Sequence, residues 1–530
     1  MKNKFFLLLG ITVLMFSACS KNNESEIDPT SGDKAYVSFS IAMPSGSGTK
    51  VDNATHQSEY QGTTNEQAIK AVRVVLYNTS GIVKYSFDLA ATTDGTSPVT
   101  GTDVAGTGTV SSFTSKGKEI DVANYQILVF INPTQAITAA TTTLNTLSDI
   151  KTAVTATASS FTSSSTGFLM SNADGLVTLS GTSFSGNTTA TSAEANAIAV
   201  NVERAVAQIF VGIGASGIDC KVEGATVGST VKWYPNVTNK KTFWVRELAN
   251  AVNGSMETSA TSRANRYAKD PNWTGFRSKD VATLKAEFNY LTNASASSFV
   301  NVGYAAANGI YVLENTMDAA DQYTQVTTTA IVELTFTPNG ITTGASWFLA
   351  NGKVYSVSAF KTLFQQAIEE LINGNTDEIV NHPVGFKACA ARLYESLSGI
   401  TNLTGVVYDG DYLDDELTTG FQFNGANAST IEYFHNGINY YDVLIRHFDD
   451  VQQPISMEYG RYGVVRNNIY RLDLESVSDN GRPTIVPEPK EGDEPTPGPT
   501  PGPDDKDKGY ISAKVTVLPW IVRTQPVDLK

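Results

Sequence analysis

The chain is poor in the residues from which catalytic and metal centres are built. Its 530 residues include 3 cysteines and 4 histidines. None of His56, His382, His435 or His447 lies in an H-E-x-x-H or H-x₃-H arrangement, and no cysteine pair has zinc spacing. No G-x-S-x-G elbow, P-loop or strand-linked G-x-G-x-x-G occurs, so nothing points to a nucleophile or a nucleotide cradle. Charge is sparse, at 17% of residues, and the net charge is −15. With no Lys/Arg cluster to offset that sign, nucleic acid is excluded as a partner. Beyond the first residues there is no membrane-length apolar run. No cofactor is implied, and the chain does not read as an enzyme.

What is present is 41% hydrophobic and 10% aromatic residues, enough to exclude wholesale disorder. Serine, threonine, glycine and alanine dominate the rest and helix-forming charge patterns are scarce, so the expected class is mostly β. Lys2 and Lys4 precede an apolar run from Phe5 to Phe16, which has the form of an export signal and is too short to span a bilayer permanently. It ends in Phe16-Ser17-Ala18-Cys19, which looks like a bacterial lipobox. Residues 1–18 are therefore expected to be removed and Cys19 to carry lipid, palmitate included, at the outer membrane. That leaves Cys220 and Cys389, which could form one disulfide or remain two thiols.

Residues 35–43 alternate cleanly. Val37, Phe39, Ile41 and Met43 share one face; Tyr36, Ser38, Ser40 and Ala42 share the other. Pro44 to Lys50 then forms an exposed loop ending in a basic residue that a trypsin-like protease could cut, making Val51 a new terminus. Val72–Tyr77 and Val83–Leu89 flank the turn signal Asn78-Thr79-Ser80-Gly81 and read as a hairpin. Tyr125–Ile131 reads as a central strand stopped by Asn132-Pro133, and Leu144, Leu147, Ile150 and Val154 as a short helix. Residues 198–213 alternate again. Further strands are expected around Lys232-Trp233-Tyr234, Thr242–Val245, Ile331–Phe336, Phe421–Phe423, Tyr440–Ile445 and Ile469–Ser476. One helix follows Ser358 as N-cap, with Phe360, Leu363, Phe364, Ala367, Ile368 and Leu371 on one face and Gly374 at its end.

Residues 483–503 hold eight of the 19 prolines and read as a stiff linker. After it comes another apolar stripe, Ile511, Ala513, Val515 and Val517, followed by Leu518, Pro519 and Trp520. An apolar strand on a long tether must dock on a sheet edge or aggregate. The dock is either its own domain or a second copy that has lost residues 36–43. The latter gives head-to-tail, open-ended polymerisation.

Other candidate sites read blandly. His447, beside Asp449 and Asp450, is expected in a surface loop. Asp409, Asp411, Asp414, Asp415 and Glu416 lack EF-hand spacing and read as a solvated loop. Trp233, Trp244, Tyr440 and Tyr441 read as core aromatics rather than a sugar platform.

The chain resembles the shaft subunits of type V fimbriae of Bacteroidia, in the minor-fimbrium (FimA-like) branch. The likeness rests on Ala35–Pro44, Asn201–Ala207, Val464–Tyr470 and Val515–Trp520, with the proline-rich stretch between the last two. It implies two transthyretin-like β-sandwiches in tandem with a few short helices, and a Pro-rich linker to a C-terminal donor strand. The boundaries are expected at 19–50 for the lipidated tether and removable strand, 51–214 and 215–482 for the sandwiches, 483–509 for the linker and 510–530 for the donor. The resemblance also implies lipidation at Cys19 and loss of the first strand by proteolysis. The implied partners are copies of the same chain, fimbrial anchor and tip subunits, a processing protease, and host or bacterial surface receptors. Its members are usually cut after arginine, whereas Lys50 stands at the matching position, and Arg73 lies within an expected strand. The competing function is that of a monomeric surface glycan-binding lipoprotein.

Overall fold

The computed structural model describes residues 33–43, 62–485 and 511–519, apart from 142–145, 153, 174, 249–266, 274–279, 293–297, 319–320, 323–324, 351, 361, 364–365, 367–430 and 448–461. The described chain is mostly β, with short helical turns between strands.

The hairpin forms where its residues predict. Strands Val72–Asn78 and Val83–Leu89 pair antiparallel. Gly81 takes a φ of +72° at the turn, and Asn78 Oδ1 accepts from the N–H groups of Ser80 and Ile82. Tyr125–Ile131 lies against Val72–Asn78 on one side and Met170–Asn172 on the other, and is buried along nearly its whole length. Its end is tied by Asn132, whose Oδ1 accepts from the N–H groups of Lys70 and Ala71 and whose Nδ2 donates to the carbonyls of Ala68 and Phe168.

The largest sheet has nine strands. Its order runs 83–89, 72–78, 125–131, 170–172, 198–204, 39–42, 112–115 and 104–105, with 177–179 also paired to 125–131. The expected alternation over 198–213 resolves into two strands, Ile198–Arg204 in this sheet and Ala207–Ile213 in the next. Ala207–Ile213 pairs parallel with Asn468–Val477. That second sheet includes Ile310–Val312, and Ile511–Pro519 forms its edge, antiparallel to Asn468–Val477. A four-stranded sheet of Thr226–Asn236, Thr329–Thr337, Ile438–Leu444 and Val300–Asn301 lies behind it.

Two large apolar cores, with smaller clusters beside them, follow from this arrangement. One gathers Val37, Phe39, Ile41, Val74, Leu76, Leu128, Phe130 and Val202. The other gathers Ile209, Val211, Trp233, Val332, Phe336, Trp347, Tyr441 and Leu472. Leu147 and Ile150 are buried on a helix of Leu147–Thr152, but Val154 is already in the next strand and Leu144 lies outside the described residues. The later helix starts sooner than expected. Ser356 Oγ, not Ser358, accepts from the Ala359 N–H, and the helix begins at residue 357. Phe360 is buried on it and Leu363 half-buried. Phe364, Ala367, Ile368, Leu371 and Gly374 lie outside the described residues, as do Phe421–Phe423, the acidic cluster of 409–416 and Cys389.

His447 departs from the surface loop expected for it. It is fully buried, its Nδ1 is 2.8 Å from the Tyr470 hydroxyl, and its ring lies against Tyr267. Val465 N–H donates to that same hydroxyl, and burial drives the Tyr470 phenol well above its ordinary pKa. Trp233 and Tyr441 are fully buried, Trp244 nearly so and Tyr440 half-buried.

Candidate subunit-joining site

Residues 34–43 occupy two sheets in succession. Lys34–Val37 pairs antiparallel with Lys118–Asp121. The chain then crosses at Ser38, and Phe39–Ala42 enters the nine-stranded sheet. There it runs parallel to Ile198–Arg204 and antiparallel to Ser112–Ser115. It is an interior strand with a neighbour on each side. Val37, Phe39, Ile41 and Met43 are all buried, as their alternation predicts, and Ala35 joins them. At roughly 1.5–3 kcal/mol for each large apolar side chain, their burial is a gross term on the order of the net stability of a domain.

Ser38 departs from the alternation. It was expected on the open face with Tyr36, Ser40 and Ala42, yet it is 1% exposed. At the crossing its hydroxyl donates to the Ser115 carbonyl at 2.6 Å. Phe39 N–H donates to Ser115 Oγ at 3.0 Å, and Ile198 N–H donates to the Ser38 carbonyl at 2.8 Å. The position therefore has room for a small side chain and a need for a hydroxyl. A serine on the polar side of a period-two pattern carries no sign of this, because the pattern assumes a strand that stays in one sheet.

From residue 62 onward, the chain is tied to the junction of the two cores. Glu66 is buried in a capping box with Thr63, and Tyr311 O–H donates to its carboxylate. Arg204 Nε donates to the Glu66 carbonyl at 2.9 Å. The two sequence segments 201–207 and 464–470 meet here. Asn467, at a φ of +59°, donates its N–H to Val206 O and accepts Arg204 N–H on its Oδ1. Two buried ion pairs flank the contact, Arg246–Glu203 at 2.7 Å and Arg466–Glu314 at 3.0 Å. Arg466 also donates to Thr242 Oγ1 and to the Phe243 carbonyl.

Residues 511–519 form a strand, in register with 468–477: Leu518 stands opposite Ile469, Val517 opposite Tyr470, Val515 opposite Leu472 and Ala513 opposite Leu474. Of the remaining candidate residues, Cys19, Lys50, Val51 and Trp520 lie outside the described residues. Arg73 is no alternative protease target. It is 2% exposed in the middle of the sheet, with Nη1 donating to Asp88 at 2.6 Å and Nε to Thr141 Oγ1. Cys220 is half-exposed beside the end of Asn468–Val477.

Two family models match the chain. The model of the major fimbrial subunit protein (FimA) covers residues 35–204, and that of the major fimbrial subunit protein type IV, fimbrillin, C-terminal, covers 432–526. No curated protein sequence matches. Among solved structures, a fimbrilin (FimA) from Porphyromonas gingivalis W83 is similar at 14% identity over 93% of this chain and 99% of that one, with a TM-score of 0.37. The tip fimbrial protein Mfa3 from Porphyromonas gingivalis is similar at 11% identity over 92% and 100%, with a TM-score of 0.34. A fimbrial assembly protein from Parabacteroides distasonis is similar at 12% identity over 62% and 88%, with a TM-score of 0.25. With its first sheet and its C-terminal segment each matched by a fimbrial-subunit model, the chain is a FimA-like fimbrial subunit.

Proposed function

We propose that the protein is a shaft subunit of a cell-surface fimbria, joined to its neighbours by donor-strand exchange and supporting adhesion. The precursor is held at the outer membrane by lipid on Cys19. Cleavage after Lys50 frees the subunit from its lipid, and residues 34–43 then leave the sheet. Strand 511–519 of another copy enters the vacated groove. Anchor and tip subunits close the two ends of the filament, and the processing protease is specific for a basic residue.

The observation that carries this reading is the interior position of Phe39–Ala42. Its removal leaves unpaired backbone on Ile198–Arg204 and on Ser112–Ser115, and an open apolar groove between them. Such a groove demands a strand. The chain has one on a proline-rich tether, hydrogen-bonded among the described residues to one strand, Asn468–Val477. The glycan-binding alternative needs an exposed aromatic platform, and the burial of Trp233, Trp244 and Tyr441 weighs against these residues supplying it.

Trypsin digestion of lipid-free precursor tests the reading. The expected product has Val51 at its N-terminus and runs as a ladder of detergent-resistant oligomers on an unheated gel. Lys50→Ala is expected to remain a monomeric precursor under the same digestion. Unchanged ladders from Lys50→Ala would remove Lys50 from the mechanism, and a stable monomer after confirmed cleavage would count against exchange.

A further inference from the structure

The groove sets conditions on its occupant that single out one register, given the donor reading above. Position 37 must be apolar, position 38 small with a hydroxyl, and positions 39, 41 and 43 apolar, since all of these are buried. Positions 36, 40 and 42 are half-exposed and tolerate polar groups. Position 41 must also offer an N–H. Met43 N–H donates to Ser111 O, which puts the 41/113 pair among the mutually hydrogen-bonded pairs of this antiparallel ladder.

The terminal strand meets every condition in one placement. Ile511, Ser512, Ala513, Lys514, Val515, Thr516 and Val517 follow the pattern of Val37, Ser38, Phe39, Ser40, Ile41, Ala42 and Met43. The two segments are even preceded by the same residue, Tyr36 and Tyr510. We propose that residues 511–517 of one subunit replace residues 37–43 of the next, in the same direction and with Ser512 in the place of Ser38. The Ser512 hydroxyl then donates to the Ser115 carbonyl, and its own carbonyl accepts from Ile198 N–H. Lys514 and Thr516 fall at the half-exposed positions, and Pro519 falls beyond the paired region.

The neighbouring placements fail on specific residues. A shift of two residues puts Lys514 at position 38, where a charged stem would be sealed from water. A shift of four puts Pro519 at position 41, where its missing N–H orphans the Phe113 carbonyl between two strands. Reversing the strand brings Thr516 to position 38, but it exchanges the parallel and antiparallel ladders. The backbone N–H that now donates to Ser115 Oγ, and the carbonyl that now accepts from Ile198, are then out of phase. The weakest fit of the favoured register is Ala513 in the Phe39 pocket, which leaves a void.

Cysteine pairs at position 42 read the register directly. Ala42 lies opposite Ser112 in a pair without mutual hydrogen bonds, a spacing of about 4.5 Å between Cα atoms that admits a disulfide. In a Cys220→Ser, Cys389→Ser background, Ser112→Cys is combined in turn with Ser512→Cys, Lys514→Cys, Thr516→Cys or Leu518→Cys. Each lipid-free precursor is cleaved under reducing conditions, oxidised, and run denatured without reductant. Only Thr516→Cys is expected to give a covalent ladder. A ladder from Ser512→Cys would mean reversed docking, and one from Lys514→Cys or Leu518→Cys a shifted register. Any of these overturns the placement while leaving strand exchange intact. Oligomers that resist detergent yet cross-link in none of the four would overturn the placement, and a cleaved parent protein that stays monomeric would overturn the donor reading too.

Discussion

Replacing Val515 and Val517 together by aspartate is expected to abolish filaments while leaving a folded monomer that is still cleaved at Lys50. In the register proposed above these two positions correspond to Ile41 and Met43, both of which are buried. Each substitution forfeits roughly 1.5–3 kcal/mol of apolar burial. Each also carries a carboxylate into a site with no described partner for it, a further cost of several kcal/mol unless the group protonates. Two such losses within one nine-residue strand exceed what ladder hydrogen bonds of about 1 kcal/mol each can offset. In this structure the strand lies at an edge, paired on one side with Asn468–Val477. It can detach into water and take its new charges with it, as edge strands do. Circular dichroism and a melting curve of the uncleaved variant check that the body is intact, and an unheated gel after digestion reads the filaments. Normal filaments from the double variant would sink the donor assignment.

Glu314→Ala is expected to be the most destabilising single substitution at the junction, by about 3–5 kcal/mol, because it leaves Arg466 charged and buried without its counter-ion. Both side chains are fully buried. Glu314 Oε2 accepts from Arg466 Nε at 3.0 Å, and Oε1 accepts from the Arg466 backbone N–H at 3.1 Å. Against a typical domain stability of about 5–15 kcal/mol, such a loss is a large share. Urea denaturation of variant and parent measures it. Replacing both residues by apolar ones of similar volume, Glu314→Leu with Arg466→Met, is expected to recover much of the loss, since no unpaired charge then remains. A single variant within 1 kcal/mol of the parent would show that the pair does not hold the junction.

The strands at 34–42 and 511–519 are both legible in the sequence for the same reason: each is a short apolar stripe of period two beside a turn or linker signal. The hairpin around Asn78–Gly81 and the central strand ending at Asn132 were legible because glycine, asparagine and proline mark where a strand must stop. What escaped notice depends on distance along the chain. Arg466 meets Thr242 and Glu314 across 224 and 152 residues, and no local pattern encodes such a meeting. Ser38 was misplaced because alternation assumes a strand confined to one sheet, and this strand changes sheets there. The aspartates after His447 suggest a surface loop, although its own ring belongs to an aromatic cluster with Tyr267 and Tyr470. The helix starts two residues before the expected position; Ser356 and Ser358 are equally good caps on sequence alone.

The interior seat of Phe39–Ala42 also has a mechanical side. A filament anchored to a cell is pulled lengthwise by flow and by whatever its far end grips. In a joint built as proposed, that load runs along the axis of the inserted strand, which is flanked on both sides by hydrogen-bonded neighbours. The rungs of both ladders then share the force and must give way together. A strand lifted from the rim of a sheet at right angles surrenders them one at a time. On that proposal, the interior position of this strand makes the joint strongest in the direction in which a tethered fibre is stretched.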